Sequence, residues 1–423
     1  MTALHSAFYV EPTPEVPDEP IDSELVYKGL FNPLDLERLW DLVQSHIDEG
    51  RYTGCQIAMA HEGEVLMVKN FGWSRLNSLD AQESLPVQDD TLFLLYSNTK
   101  MLIATLLWKL FEQGRLSFND TVSTYLKDFG QHGKESITLF QLITHQAGFP
   151  NQEVPQDAWL DHDRVLKAVC DFHLEWTPGS KVSYHALSAH WVLAMVIEQI
   201  TQMDFRQAVE EVVLKPLGLE RDLYMGLPAK SSTVSQNVAY LYEPHSATFK
   251  PLESAASKNR ALTCANLVQS MKLRAESHDT VWQTAGLPGG GAYGTAKGMA
   301  LLYQMMVQGG VYKGVRFLSE KTLAYAIRNY TGDRVDLMMG MPMHRGLGPH
   351  LRGHSVHIRG LGTLSGPSVF GHGGVGTSYA WADPERKFSF AYITNTRLAD
   401  PWHSKRLEMV SNHVQLAFKS TLK

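Results

Sequence analysis

Apolar positions recur at helical spacing from Leu34 to Asp48, and the run stops at Gly50, a residue suited to ending a helix. Gln56–Ala60 and Val65–Asn70 are short β-type runs separated by His61-Glu62-Gly63-Glu64, which predicts a hairpin. Leu79–Asp90 is polar and turn-like, and Thr91–Tyr96 leads into Ser97. From Lys100 to about Ala285 helical patterns dominate. Met101–Gln113 closes at Gly114, Leu139–Thr144 closes at Gly148-Phe149-Pro150, and Leu187–Thr201 and Phe205–Leu214 follow before Pro216 and Gly218. Ala300–Val307 reads as a further helix, Phe388–Asn395 as a strand and Leu407–Phe418 as a terminal helix. Met101–Leu110 is too short to cross a membrane and is interrupted by Thr105 and Lys109, so it reads as a buried helix. Strands at both ends with helices between predict a chain that leaves a sheet, builds a second lobe and returns.

Composition narrows the function classes. A length of 423 residues exceeds one comfortable core, so two packed lobes are expected, with 44% hydrophobic and 19% charged residues as in ordinary globular chains. The net charge of −6 gathers in no tail, and no basic patch points to nucleic acid. Cys55, Cys170 and Cys264 are far apart and odd in number, which argues against a disulfide framework and for a reducing compartment. Met1–Asp22 is acidic, contains prolines and lacks the charged-then-apolar pattern of a signal peptide. The expectation is a cytoplasmic protein with an extended arm over residues 1–25 and no membrane or nucleic-acid partner. Oligomeric state is not written in the sequence.

Ser97-Asn98-Thr99-Lys100 is the strongest chemical signal. A serine opening a helix, with a lysine one turn on, sets a nucleophile and an amine on one face. The helix start turns N–H groups and the positive dipole end toward any oxyanion formed there. Covalent acyl-enzyme chemistry follows, with the lysine helping to take the hydroxyl proton. Ser420-Thr421-Leu422-Lys423 has the same spacing, so context decides. The context is Tyr184 in Trp176-Thr177-Pro178-Gly179-Ser180-Lys181-Val182-Ser183-Tyr184, then His372-Gly373-Gly374. Ile137 to Pro150, Leu214-Lys215-Pro216-Leu217-Gly218-Leu219 and Pro288-Gly289-Gly290-Gly291 complete the set.

In that order these segments resemble the serine β-lactamase and penicillin-binding-protein superfamily over roughly residues 30 to 420. The class C-like branch that includes the family VIII carboxylesterases is nearest. The resemblance implies a β-lactamase-like fold of α/β plus α type: an antiparallel sheet flanked by helices (residues 26–95 and 296–423), a second mostly helical lobe (96–295), and the active site in the cleft between them. It makes Ser97 the acylated nucleophile and Lys100 with Tyr184 the proton-handling pair, either of which can be the base. By analogy the oxyanion hole uses the backbone N–H groups of Ser97 and Val375. His372, Gly373 and Gly374 would contact substrate, the glycines allowing close approach.

Two departures bear on specificity. His372-Gly373-Gly374 stands where the family's β-lactamases usually carry Lys-Thr-Gly, and a histidine near neutral pH holds a carboxylate weakly. Tyr184-His185-Ala186 replaces Tyr-Ser-Asn or similar, removing an amide that would bind an acyl-amide group. Both changes favour small-molecule carboxylic esters. An acyltransferase, a D-amino-acid peptidase or a β-lactamase would use the same machinery, and a catalytically silent ligand-binding or scaffold protein is the alternative of another class.

His145 reads as structural. Gly289–Gly294 matches a dinucleotide pattern on paper, but no strand feeds it, so it reads as a loop. His344, His350, His354 and His357 lack a zinc spacing and read as part of a mobile loop near the site entrance. No cofactor or metal is therefore expected. The absence of Gly-x-Ser-x-Gly disfavours an α/β-hydrolase. Val154–Asp163 and Asp333–Gly362 are expected to line the acyl pocket.

Overall fold

Glu62 and Gly63, both at positive φ (50° and 91°), turn the chain tightly between strands β1 (Gly54–His61) and β2 (Glu64–Arg75). The two strands pair antiparallel with Ala58 opposite Val68, so the predicted hairpin is present. The computed structural model describes residues 29–77, 83–228, 233–246, 260–354 and 360–419. The arm expected over residues 1–25, His357 and the Ser420–Lys423 tetrapeptide lie outside the described residues.

Helix α1 (Pro33–Asp48) precedes the hairpin, and β3 (Leu85–Pro86) and β4 (Phe93–Leu94) follow it. Next come α2 (Thr99–Glu112), α3 (Leu139–Ile143), α4 (His162–Cys170), α5 (Ser188–Thr201) and β5 (Leu223–Met225). The return to the sheet runs through β6 (Ala292–Gly294), α6 (Ala296–Val307), β7 (His350–Leu351), β8 (Phe370–Gly374), β9 (Ser378–Asp383), β10 (Phe388–Thr394) and α7 (Trp402–Ala417). A seven-stranded antiparallel sheet has the order β7-β8-β9-β10-β1-β2-β3, so the two ends of the chain meet where β1 pairs with β10. Helices flank this sheet, as expected.

The sheet's two faces are covered differently. Leu36, Leu39, Val43 and Ile47 of α1 lie at helical spacing and pack with Val410 and Val414 of α7 against Tyr392, Trp381 and Phe390. On the other face α6 contacts β1, β9 and β10. This second core continues without a break into the helical region, where α2 and α5 are buried nearly all round. Each Leu or Val buried in this way contributes about 1.5–3 kcal/mol. The polar interruptions of α2 are satisfied locally: the Thr105 hydroxyl donates to Met101 O at 2.7 Å and Lys109 Nζ donates to Phe317 O at 2.6 Å. Among the described residues no helix is long and apolar enough to cross a membrane.

Two expectations fail here. Gly289–Gly294 is not a loop throughout, because Ala292–Gly294 forms the central strand of a three-stranded sheet between β4 and β5. A strand of three residues has too little alternation to be visible in sequence. The histidine-bearing stretch is not a loop at the entrance either. His350 pairs with Gly371 at the edge of the large sheet, and both His344 and His350 are buried. Only His354 of the described members is exposed, in a turn. Short strands also interrupt the stretch read as helical, at Leu223–Met225, Tyr242–Pro244 and Met271–Leu273.

Candidate active site

Ser97 is set by a kink. Tyr96 has φ +45°, a left-handed conformation that costs a non-glycine residue roughly 1–3 kcal/mol. Its hydroxyl is held by Glu276 Oε1 at 3.0 Å, with Arg274 on the same carboxylate. The kink joins β4 to one 3-10 turn over Tyr96–Asn98, and the α-helix begins only at Thr99. Ser97 therefore projects from the turn before the helix and caps nothing. Its neighbours in the motif fix it from two sides: Asn98 Nδ2 donates to Ser378 Oγ at 2.8 Å, and Ala292 N donates to Thr99 Oγ1 at 3.0 Å.

Lys100 lies on the first turn of α2 with 1% exposure, and its Nζ is 3.3 Å from Ser97 Oγ. Nζ also donates to Ala186 O and to Gly289 O, each at 2.7 Å. Burial, then the Arg345 guanidinium, hold this amine well below the usual lysine range. A neutral amine has two N–H bonds and one lone pair. The two carbonyls take the N–H bonds and leave the lone pair for the serine proton.

Tyr184 sits on the loop before α5, and its ring is crowded by cations and imidazoles. Lys100 Nζ lies 4.9 Å and Arg345 Cζ 5.1 Å from the ring centroid, with the His145 ring at 4.6 Å. Burial pushes the phenol up to about 12, against the pull of its hydrogen bond with Ser97 and of Arg345. The phenol therefore stays protonated at neutral pH. His145, at φ +61°, braces this loop: its Nδ1 accepts from His185 N at 3.0 Å and its carbonyl accepts from Ser183 N at 3.1 Å. The His185 ring turns inward, where Nε2 accepts from Phe149 N at 3.1 Å.

The third element is β8. A Cβ on Gly374 would fall 2.4 Å from Leu95 O, so only glycine lets this strand end against the segment carrying Ser97. Gly373 lies in the same strand, and Val375 follows in the turn, half exposed. The His372 ring stacks on His350 at 4.2 Å and lies 6.4 Å from the Tyr184 ring. Burial first, then Lys100, push His372 down to about 3, so it is neutral and its Nδ1 donates to Gly373 O at 2.9 Å. Ser97, Lys100, Tyr184 and His372 thus meet around one point from three separate stretches of chain.

The sequence model of the family described as Beta-lactamase matches residues 39–409, most of the chain. The chain belongs to the Beta-lactamase family. It is 26% identical over 363 residues to the esterase/beta-lactamase LipL of Mycobacterium tuberculosis, covering 83% of this chain and 79% of that one. A penicillin-binding protein homolog from Caulobacter crescentus superposes with a TM-score of 0.73 at 25% identity, over 90% of this chain and 97% of the other. A family VIII carboxylesterase superposes with a TM-score of 0.72 at 27% identity, over 90% and 98%.

Within this Beta-lactamase-family scaffold, several residues around the site carry no motif. Asp336, Arg345, His190 and His350 are all buried about Tyr184 and Lys100. Arg345 Nη2 donates to Asp336 Oδ2 at 2.6 Å, and the other oxygen of Asp336 accepts from Tyr184 N at 3.1 Å. Nine residues separate the pair and about 150 separate it from Tyr184, so no local spacing announces it. Two trios bring three possible metal ligands within 4.8 Å of one another, His132-Asp171-His173 and His162-Glu198-Asp204, and neither includes a residue of the site.

Proposed function

We propose that this protein is a serine hydrolase cleaving carboxylic esters through an acyl-enzyme on Ser97. The observation that carries the reading is Lys100: a buried amine, both N–H bonds taken by carbonyls, 3.3 Å from the serine oxygen. Lys100 takes the Ser97 proton as Oγ bonds to the ester carbon. The carbonyl oxygen, now an oxyanion, is received by the backbone N–H groups of Ser97 and Val375. Collapse breaks the bond to the alcohol oxygen, which takes a proton from Tyr184, and the Lys100 ammonium returns one to the phenol. Water then attacks the acyl carbon, giving up a proton to Lys100; collapse breaks the bond between Ser97 Oγ and the acyl carbon, Oγ takes that proton back from Lys100, and the acid leaves.

Specificity for esters rests on the same geometry. A β-lactam or a peptide ending in a carboxylate asks for a fixed positive charge, and His372 at about 3 is neutral at any working pH. Gly373 and Gly374 serve packing and do not open space for the acyl group: a Cβ on Gly373 would fall 2.6 Å from the Tyr379 ring and one on Gly374 2.4 Å from Leu95 O. The test is intact-mass measurement after treatment with a fluorophosphonate, together with rates on p-nitrophenyl acetate, p-nitrophenyl butyrate and nitrocefin. One adduct on the wild type, none on Ser97→Ala, and faster turnover of the short esters are expected. No adduct on the wild type would sink the enzyme reading, and faster nitrocefin turnover would sink the preference for esters.

A further inference from the structure

Beneath the Tyr184 loop lies an ion pair from which water is excluded. Asp336 has 0% and Arg345 1% exposure, and their Nη2–Oδ2 distance is 2.6 Å. Asp336 Oδ1 accepts from three main-chain N–H groups: Tyr184 at 3.1 Å, Met338 at 3.0 Å and Met339 at 3.2 Å. The backbone of the Asp336 segment runs beside Val182, whose carbonyl accepts from Leu337 N at 2.9 Å. The Arg345 main chain is fixed independently, its N donating to Thr331 Oγ1 at 3.0 Å and its carbonyl accepting from Tyr330 N at 2.9 Å. The guanidinium faces the Tyr184 ring, 5.1 Å from its centroid, and Lys100 Nζ is 4.9 Å from that same centroid.

A buried ion pair is weak as a source of stability, because desolvating both charges offsets most of their attraction. This one reaches the catalytic groups in two ways: a main-chain hydrogen bond to Tyr184 and a cation against the same aromatic ring that Lys100 faces. We propose that Asp336 and Arg345 are positioning residues of the acylation machinery, the carboxylate fixing the Tyr184 main chain and the guanidinium setting a positive charge against the same ring that Lys100 faces. The inference rests on the reading of Ser97 and Lys100 given above.

The other groups around Lys100 do not supply this field. His145, His190, His350 and His372 each sense Lys100, and burial lowers all four, so they are neutral at pH 7. Ser97 and Tyr184 are uncharged there too. Arg345 is the cation that acts on Lys100, and Asp336 is the anion behind it.

The charges on the pair have opposite signs, so removing each must move the acid limb of kcat/KM in opposite directions. Arg345→Met removes the cation and leaves the Asp336 carboxylate behind Tyr184 without its counter-charge, which favours the ammonium and is expected to shift the limb up by about one pH unit or more. Arg345→Lys keeps a cation and is expected to hold the limb within a few tenths of a unit. Asp336→Asn leaves Arg345 unopposed and is expected to shift the limb down. The profile is measured for each variant on p-nitrophenyl butyrate, with rates normalised to fluorophosphonate-titrated sites, so a reduced folded fraction does not move it. Unshifted limbs in Asp336→Asn and Arg345→Met, a shift in Arg345→Lys as large as the one expected for Arg345→Met, or shifts of the same sign for Arg345→Met and Asp336→Asn, would overturn the inference. The wild-type adduct on Ser97 would still stand in that case, which separates this failure from failure of the hydrolase reading.

Discussion

On the wall formed by the Ser97 turn, the reacting groups are held largely by main-chain atoms. On the wall formed by residues 331–354 and 370–379, polar side chains hold one another. Lys100 hangs between two carbonyls, and Ser97 is aimed by a backbone kink at Tyr96. Across from them Asp336 grips Arg345, His350 stacks on His372 and His350 Nδ1 lies 3.2 Å from the Tyr379 hydroxyl. Main-chain dipoles do not titrate, so the first wall keeps its geometry at any pH that leaves the fold intact. Side chains do titrate or are permanently charged, so the second wall sets which protonation states the first can adopt. On the proposed reading, one wall carries the reaction and the other its electrostatic conditions.

The comparison breaks most readily at Ser97. Ser97→Ala is expected to abolish the fluorophosphonate adduct and lower ester turnover on the order of 10⁴-fold or more. An adduct persisting on that variant would move the nucleophile elsewhere. Lys100→Met should lower kcat/KM by about 10³–10⁴-fold. In the wild type the base must be unprotonated, so kcat/KM rises with pH through the folded pKa of Lys100. Because that value is held well below the usual lysine range, the rise should be complete before the pH reaches that range. With Tyr184 at about 12, no alkaline limb should appear below about pH 11. A rate still climbing steeply between pH 9 and 10.5 would assign Lys100 an ordinary pKa and erase the distinction between the walls.

Tyr184→Phe removes only the proton relay to the leaving alcohol and is expected to cost about 10²–10³-fold in kcat. The loss should be larger for alkyl esters than for p-nitrophenyl esters, whose leaving group needs little protonation. The smallest effect on rate is expected at His372, where His372→Gln should stay within about 10-fold on esters. Its signature is in stability. The unfolded imidazole titrates near 6.5 and the folded one at about 3, so the unfolded state binds the proton first and stability falls as pH drops below 6.5. Between pH 6.5 and 5 the loss from this residue is about 2 kcal/mol, and urea unfolding of His372→Gln should show a correspondingly flatter dependence. An unchanged slope would show that His372 does not resist protonation in the fold.

Much of the frame was legible because it is periodic. The α1 stripe of Leu36, Leu39, Val43 and Ile47, the β1–β2 hairpin and the predominantly apolar α2 each carry a pattern long enough to read. Ser97, Lys100, Tyr184 and His372 were legible as motif residues in a fixed order, and the fold does bring them together. Boundaries were less so. α6 begins at Ala296, not Ala300, because Thr295 caps it through Gly298 N and the first turn adds no apolar stripe. The strand Ala292–Gly294 and the burial of His350 escaped altogether, since each depends on pairing with distant residues.

By itself the sequence determined the periodic elements and the candidates for the reacting groups, because local periodicity and short motifs are properties of neighbouring residues. Only the tertiary structure decided the state in which those groups are held. The lowered basicity of Lys100, the protonated phenol of Tyr184 and the neutral His372 arise from burial and from Arg345, Ala186 and Gly289, residues up to about 245 positions from Lys100 along the chain. Coulomb and desolvation energies depend on distance in space, and distance in space is what a linear sequence does not print.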